Sequence, residues 1–373
     1  MGGQITKIGI IGGGQLAWML GLAAQELSLE LFIQTPHVDD VAVRVAQDVV
    51  YAPVDDAQGT AQLAEICQVI GWENEFIDVP ALARLEGVLF RPDLSVLEPI
   101  LDKYSQRCYF KRLGLPNPGF RLWSGPPTDY PIVLKARRHG YDGRGTLVIH
   151  NPKQYQEITA PLVEQLQNLE FVQEEFVDFA QELAIVGARD IKGNIITYPL
   201  VETQQVNQVC RRVFAPAMVP SEITTQAQVM LAQVFEDLQA VGVMAIELFL
   251  TKTGRLLINE IAPRVHNSAH WTIEGCQTSQ FSQHLRALAG LELASVAPHS
   301  AHAVMVNLLG YETSQSDYLD KRQRLAAIPH SRLYWYGKTT ASPGRKLGHI
   351  TALTQSRPAA ETLAQEIEAL WYG

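Results

Sequence analysis

Two apolar runs, 243–250 and 256–261, are each interrupted by a single carboxylate, Glu247 and Glu260, and are joined by Thr251-Lys252-Thr253-Gly254. The composition of the runs predicts strands and that of the joint a tight turn, so this stretch must fold as a β-hairpin. With those four residues as the loop, Glu247 faces Ile258, and Glu260 is its diagonal neighbour on the same sheet face. Asn259 adds an amide oxygen beside them. The flanking residues read as buried, and a buried carboxylate needs a partner. Two carboxylates and an amide suit Mg2+, a hard cation that takes oxygen ligands and substrate phosphates; a solvent-facing sheet surface is the alternative. Arg264, His266 and Asn267 follow directly, a concentration of polarity that marks 242–271 as the working centre.

At 373 residues the chain exceeds one small core, so two or three domains are expected. A net charge of -9 without a Lys/Arg run argues against nucleic acid as the main partner. The four cysteines at 67, 108, 210 and 276 are widely spaced, which predicts neither a zinc cluster nor a disulfide framework and fits a cytoplasmic protein. No apolar run approaches the ~20 residues that span a bilayer, and no signal peptide is read at the start.

Near the start, the strand 7–11, the turn Gly12-Gly13-Gly14 and a helix from Gln15 open a doubly wound α/β unit, with a second strand at 29–33. Gly12, Gly14 and Ala17 satisfy the dinucleotide fingerprint G-x-G-x-x-G/A. The acidic residue expected after the second strand is missing, since that strand runs into Gln34-Thr35-Pro36. What survives is a helix N-terminus able to seat an anion, with a phosphate-bearing substrate favoured over a nicotinamide. A helix is expected over 61–70. Glu73 and Glu75 then fall in a loop at the end of the unit, where ligands of such sheets bind. Another helix is expected over 101–113, and a Pro-rich linker over 116–131.

The strand 132–135 ends in Lys135. After it come Arg137, Arg138, His139, Gly140, Tyr141, Asp142, Gly143, Arg144 and Gly145, and a second strand over 146–149. Asp142-Gly143 suits a plain hairpin turn. Three arginines among three glycines fit better a glycine-hinged cationic loop over a polyphosphate. Helices are expected over 152–166, 224–241 and 278–288, and short strands from Ala301 onward. Arg345 and Lys346, on a loop fixed by Pro343 and Gly344, suit a phosphate contact.

A lysine-ended strand, a glycine-rich cationic hairpin and a late Glu…Asn-Glu pair, in that order, resemble an ATP-grasp ligase. The segments GGGQLAWML, ENEF, YDGRG, NEIAPRVHNSAHW and PGRKLGHI narrow the resemblance to the N5-carboxyaminoimidazole ribonucleotide synthetase (PurK) family, over about residues 8–350. It implies a mixed α/β and α+β chain: a doubly wound pre-ATP-grasp domain over 1–98, an ATP-grasp domain over 99–300 with a hinged lid at about 116–178, and a small β-rich domain over 301–373. The family's reaction is a ligation that uses ATP, Mg2+ and bicarbonate to carboxylate 5-aminoimidazole ribonucleotide, usually in a homodimer.

Residue by residue, the resemblance assigns ATP to Lys103, Lys135, Gly140, Asp142, Gly143, Gly145, Glu174, Glu175, Phe176, Val177, Glu182 and Asn259. Mg2+ falls to Glu247 and Glu260, with Asn259 beside them. Gln15, Leu16, Glu73, Glu75, Arg264, Lys338, Arg345 and Lys346 would hold the ribonucleotide, with Arg345 and Lys346 at its 5′-phosphate. Tyr141, Arg144, Arg264, His266 and Lys346 would surround bicarbonate and carboxyphosphate. Ala17, Trp18 and His139 depart from the family pattern; the first two are expected at the rim of the nucleotide pocket. The nearest alternatives are other ATP-grasp ligases, of the formate-dependent glycinamide ribonucleotide transformylase or biotin carboxylase type. An NAD-dependent oxidoreductase is more remote.

Overall fold

The structure is a computed structural model that describes residues 4–138, 145–159 and 170–373. Its strands form three sheets that follow one another along the chain. The first holds β1 (Lys7–Ile11), β2 (Glu30–Gln34), β3 (Asp48–Val50) and β4 (Val69–Trp72), all parallel, in the order β3-β2-β1-β4. Chain reversal beside β1 makes this a doubly wound unit, with the site-bearing loops at the strands' carboxyl ends. The residues 61–70 are not one helix. Asp56 caps the first turn by accepting from the Gln58 N–H, so the helix runs Ala57–Ile66. Val69 and Ile70 are then taken into β4 by pairing with β1.

The second sheet contains β5 (Phe120–Leu122), β6 (Ile132–Ala136), β7 (Thr146–Ile149) and β8 (Phe171–Glu175), in the order β5-β8-β6-β7. The Pro-rich segment expected as a linker thus supplies an edge strand, paired with β8. The tip of the β6–β7 hairpin, with His139, Gly140, Tyr141, Asp142, Gly143 and Arg144, lies outside the described residues. So do residues 160–166 of the helix expected over 152–166, of which Pro152–Thr159 is described.

The third and largest sheet collects β9 (Phe179–Arg189), β10 (Ile195–Thr197), β11 (Val201–Val206), β12 (Val209–Ala215), β13 (Gly242–Thr251), β14 (Leu256–Ala262), β15 (His302–Leu309), β16 (Ser331–Trp335) and β17 (Lys346–Thr354). Its path is β14-β13-β9-β11-β12-β15-β17-β16, with β10 on β9. The helix Ser221–Leu238 packs Leu231, Val234 and Phe235 into the core beside β9 and β13. The last seventy residues are less β-rich than expected. They include the helices Leu319–Ala326 and Arg357–Tyr372, the second burying Ala360, Ala364, Ile367 and Trp371 against β15 and β17. Because β15 pairs with β12, this segment continues the central sheet.

Candidate active site

The hairpin β13–β14 forms as expected, but its register differs. Thr251 pairs with Arg255, so the loop is Lys252-Thr253-Gly254, one residue shorter, with Gly254 at φ 81°. A bulge then places Glu247 directly opposite Glu260, while Leu248 faces Ile258. The extra residue is Asn259, and the bulge turns it and Glu260 toward one cleft, a common use of bulges beside sites. Asn259 Nδ2 donates to Glu247 Oε2 at 3.3 Å. Burial and the facing Glu260 push the Glu247 carboxyl up to about 8.

The helix Lys103–Arg112 supplies the cations on this side. Asp102 caps it, accepting from the Ser105 N–H, and its other oxygen takes Arg137 at 2.8 Å. Lys103 Nζ donates to Glu260 Oε2. Burial opposes the Lys103 charge, yet the Glu260 carboxylate outweighs it and raises the ammonium pKa. In turn Lys103 holds Glu260, against its own burial, down at about 2. From β6, Lys135 Nζ reaches Asn259 Oδ1 at 2.9 Å and Glu174 Oε2 at 3.0 Å. Burial lowers the Lys135 pKa, partly offset by Glu174.

Lys103, Lys135, Glu174, Glu247, Asn259 and Glu260 line a cleft of about 910 Å³, walled by the second and third sheets and by loops and a helix start of the N-terminal unit. Gly145, Glu175, Phe176, Val177 and Glu182 line it too, next to Phe179 and Phe249, whose rings stack at 4.9 Å. Burial pushes Glu182 up to about 7.

Beyond β14 the chain is held by its own side chains. Gln280 accepts from the His266 N–H at 2.8 Å and donates to the His266 carbonyl at 2.7 Å. Ser268 N–H donates to His266 Nδ1 at 3.3 Å, which leaves the ring proton on Nε2, 3.4 Å from Glu247 Oε1. Arg264 pairs with Glu75 at 3.0 Å. Lys346, at the start of β17, lines the same cleft, and its charge pulls the Glu247 pKa down. Thus Arg264, His266 and Lys346 converge as expected.

The N-terminal residues behave differently. Gln15, Leu16, Glu73 and Glu75 line the cleft. The anion seat at the helix Gln15–Glu26, however, is filled from within. Glu73 accepts from the Gly14 and Ala17 N–H groups at 2.9 and 3.1 Å. Gly12, at φ 121°, leaves room for it, since a Cβ there would lie 2.2 Å from Glu73 Cγ. A pyrophosphate cannot share that terminus, which removes the physical basis of a dinucleotide site. Ala17 is fully buried in the core and not at a rim. Trp18 turns away from the cleft to pack edge-on against Tyr334 and Tyr336.

Lys338 and Arg345 do not line the cleft: Lys338 Nζ lies 5.7 Å over the Tyr336 ring, and Arg345 donates to the Thr340 carbonyl at 2.8 Å. Both stand on the loop leading into β17. Sequence reasoning missed Arg107 and Gln280, whose roles depend on partners 67 and 14 residues away; Arg137, expected in the cationic loop, is instead tied to Asp102 and Glu170.

Beside Trp18, Tyr334 donates to Glu274 at 2.6 Å, and burial pushes that carboxyl up to about 7. The folded chain thus holds a proton there that the unfolded chain releases near pH 4–5, so stability falls as pH rises from there through about 7. Glu274→Gln is expected to stabilise the protein at pH 8 by about 2 kcal/mol and hardly at all at pH 4. Urea unfolding at the two pH values checks this; an equal effect at both would mean that Glu274 carries no buried charge.

Three family models match successive parts of the chain: a ribonucleotide synthetase preATP-grasp domain over 5–97, an ATP-grasp domain over 125–281, and a phosphoribosylaminoimidazole carboxylase C-terminal domain over 303–363. The N5-carboxyaminoimidazole ribonucleotide synthase of Synechocystis sp. is 46% identical, over 99% of both chains. That of Synechococcus elongatus is 47% identical over 98% of this chain and 96% of its own. The crystal structure of the Aspergillus clavatus synthase in complex with ADP and 5-aminoimidazole ribonucleotide superposes with a TM-score of 0.90, at 28% identity over 99% of both chains. With nearly half its residues identical to such synthases from end to end, the chain belongs to the N5-carboxyaminoimidazole ribonucleotide synthase family of ATP-grasp proteins.

Proposed function

We propose that the chain uses ATP and bicarbonate to carboxylate 5-aminoimidazole ribonucleotide to N5-carboxyaminoimidazole ribonucleotide, a ligation in purine biosynthesis. One observation carries this reading: the phosphate-side cations Lys103 and Lys135 and the polar set Arg264, His266 and Lys346 line a single cleft, with Glu247 and Glu260 between them. An enzyme that makes carboxyphosphate and spends it on an amine needs these sets to meet.

The donors suit Mg2+. Glu247 and Glu260 face each other across the bulge with Asn259 beside them, and burial leaves Glu247 short of positive charge. Among the described residues no cluster of three His, Cys, Asp or Glu forms a closed metal site. Two carboxylates, completed by phosphate oxygens, are a usual protein share for this ion. When bound there, Mg2+ would supply charge stabilisation for the transferring phosphoryl group.

Lys103 and Lys135 hold the ATP phosphates in this reading, and Glu182 accepts from the ribose hydroxyls. A bicarbonate oxygen attacks the γ-phosphorus, the bond to ADP breaks, and carboxyphosphate results. The amine nitrogen of the ribonucleotide then attacks the carboxyl carbon, either in carboxyphosphate or in CO2 released from it. Phosphate departs and the nitrogen gives up a proton. Lys346 and Arg264 offset charge on the carboxyl and phosphate oxygens. Ser268 at Nδ1 and Glu247 beside Nε2 fix the His266 ring; with Nε2 already protonated, His266 takes the amine's proton only by passing its own to Glu247, and Tyr141 is the other candidate. Tyr141 and Arg144, outside the described residues, keep the roles that the resemblance implies. The division near residues 98 and 300, the homodimer and the cytoplasmic location belong to the same reading. No described helix is long and apolar enough to cross a membrane.

The test is ADP release with bicarbonate and the ribonucleotide supplied separately and together. Release matched by carboxylated product only when both are present is the expected result. Release that depends on formate, or on a different amine in place of the ribonucleotide, would point to another ATP-grasp ligase.

A further inference from the structure

Lys103 and Arg107 stand one helical turn apart on the helix Lys103–Arg112 and face the same side. Lys103 reaches β14 through Glu260, whereas Arg107 reaches two strands at once. Its Nε and one terminal nitrogen grip Glu174 on β8 at 2.6 and 2.9 Å. The other terminal nitrogen donates to the Ile258 carbonyl on β14 at 2.9 Å. Arg107 and Glu174 are 2% and 3% exposed, so neither finds water in exchange.

We propose that Arg107 is a positioning residue for the phosphate-binding groups, fixing Glu174 and the bulge so that Lys135 and Asn259 are presented to the nucleotide. This rests on the nucleotide reading of the cleft given above.

With the guanidinium fork occupying one edge of the Glu174 carboxylate, Oε2 is also shared with Lys135 at 3.0 Å. Asn259 Oδ1 holds the same ammonium at 2.9 Å from the other strand. Asn259 is the bulged residue, and the peptide before it is anchored from outside the hairpin. The Ile258 N–H donates to the Pro116 carbonyl at 2.8 Å, and its carbonyl accepts from Arg107. One planar group therefore sets the height of Lys135 above β6 and the turn of Asn259 out of β14. Without it, a buried carboxylate would have Lys135 as its nearest counter-charge and would draw the ammonium down. Arginine is required because a lysine cannot make three directed bonds in one plane.

The test uses the full chain with Arg107→Lys and Arg107→Met. Arg107→Lys should raise KM for ATP about tenfold and Arg107→Met about a hundredfold, the loss expected for one or two charge-assisted hydrogen bonds. KM for the ribonucleotide should stay within about twofold, since Gln15, Leu16 and Lys346 hang on other elements. Calorimetric titration with a non-hydrolysable ATP analogue and Mg2+ should show the same ordering. Should Arg107→Met fail to fold, Arg107→Lys decides alone, because it retains a cation against Glu174. A folded Arg107→Lys protein with unchanged ATP affinity, or an equal rise in both Michaelis constants, overturns the positioning role. A wild-type chain that binds ATP but does not carboxylate the ribonucleotide overturns the assigned reaction instead, and the titration still judges Arg107.

Discussion

Glu260→Gln should lower kcat by about three orders of magnitude while leaving KM for the ribonucleotide within about twofold. The substitution preserves shape and removes only charge, and it does so where that charge is most shared. Glu260 faces Glu247 across the bulge and takes the Lys103 ammonium. Lys103 holds its pKa at about 2, so the carboxylate is ionised at any working pH. An amide can neither neutralise a bound cation nor restrain Lys103, so charge building on the transferring phosphoryl loses two supports together. The side of the cleft proposed for the ribonucleotide, with Gln15 and Leu16 on the helix Gln15–Glu26 and Lys346 on β17, rests on other elements and should be indifferent. Steady-state kinetics with each substrate varied at saturating Mg2+ checks both halves. Near-normal turnover would remove Glu260 from the phosphoryl-transfer site.

Lys346 and Arg345 are neighbours in sequence and should separate in kinetics. Lys346 lines the cleft and acts electrostatically on Glu247, whereas Arg345 is turned onto Thr340 on the preceding loop. Lys346→Ala should therefore cut carboxylated product by about two orders of magnitude, the usual effect of losing one cation or donor at a developing oxyanion. ADP release should fall less, so the ratio of product to ADP drops. Arg345→Ala should act through KM for the ribonucleotide, by about 2 kcal/mol if Arg345 leaves Thr340 for the 5′-phosphate. Matched assays of ADP and product decide this. If both variants lose product and ADP in step, Lys346 serves phosphoryl transfer and not carboxyl transfer.

The hairpin, its two carboxylates and the lysine-ended strand were legible because alternation and turn chemistry are local signals. The register was not. A four-residue loop is the plain reading of Thr251-Lys252-Thr253-Gly254, and the bulge at Asn259 is held by Arg107 and Pro116, both more than a hundred residues away. Arg107 itself reads as one more charged position on a polar helix. The same distance hid the cap: Glu73 is 59 residues from Gly14, so the glycine turn looked like an open anion seat. The helix Arg357–Tyr372 could have been read. Ser356 caps it, Pro358 sits in its first turn, and Ala360, Ala364, Ile367 and Trp371 recur at helical spacing. The function was legible through the motif NEIAPRVHNSAHW, whose Glu260, Arg264 and His266 the fold brings to one wall of the cleft.

The central claim is that the γ-phosphoryl group passes to bicarbonate within this cleft. Bicarbonate labelled with heavy oxygen tests it most directly, because attack by a bicarbonate oxygen on phosphorus leaves that oxygen in the phosphate released later. With ATP, Mg2+ and the ribonucleotide present, the account predicts phosphate carrying one labelled oxygen per turnover, in step with carboxylated product. Unlabelled phosphate formed alongside the product would show that the phosphoryl group went elsewhere, and would contradict the account.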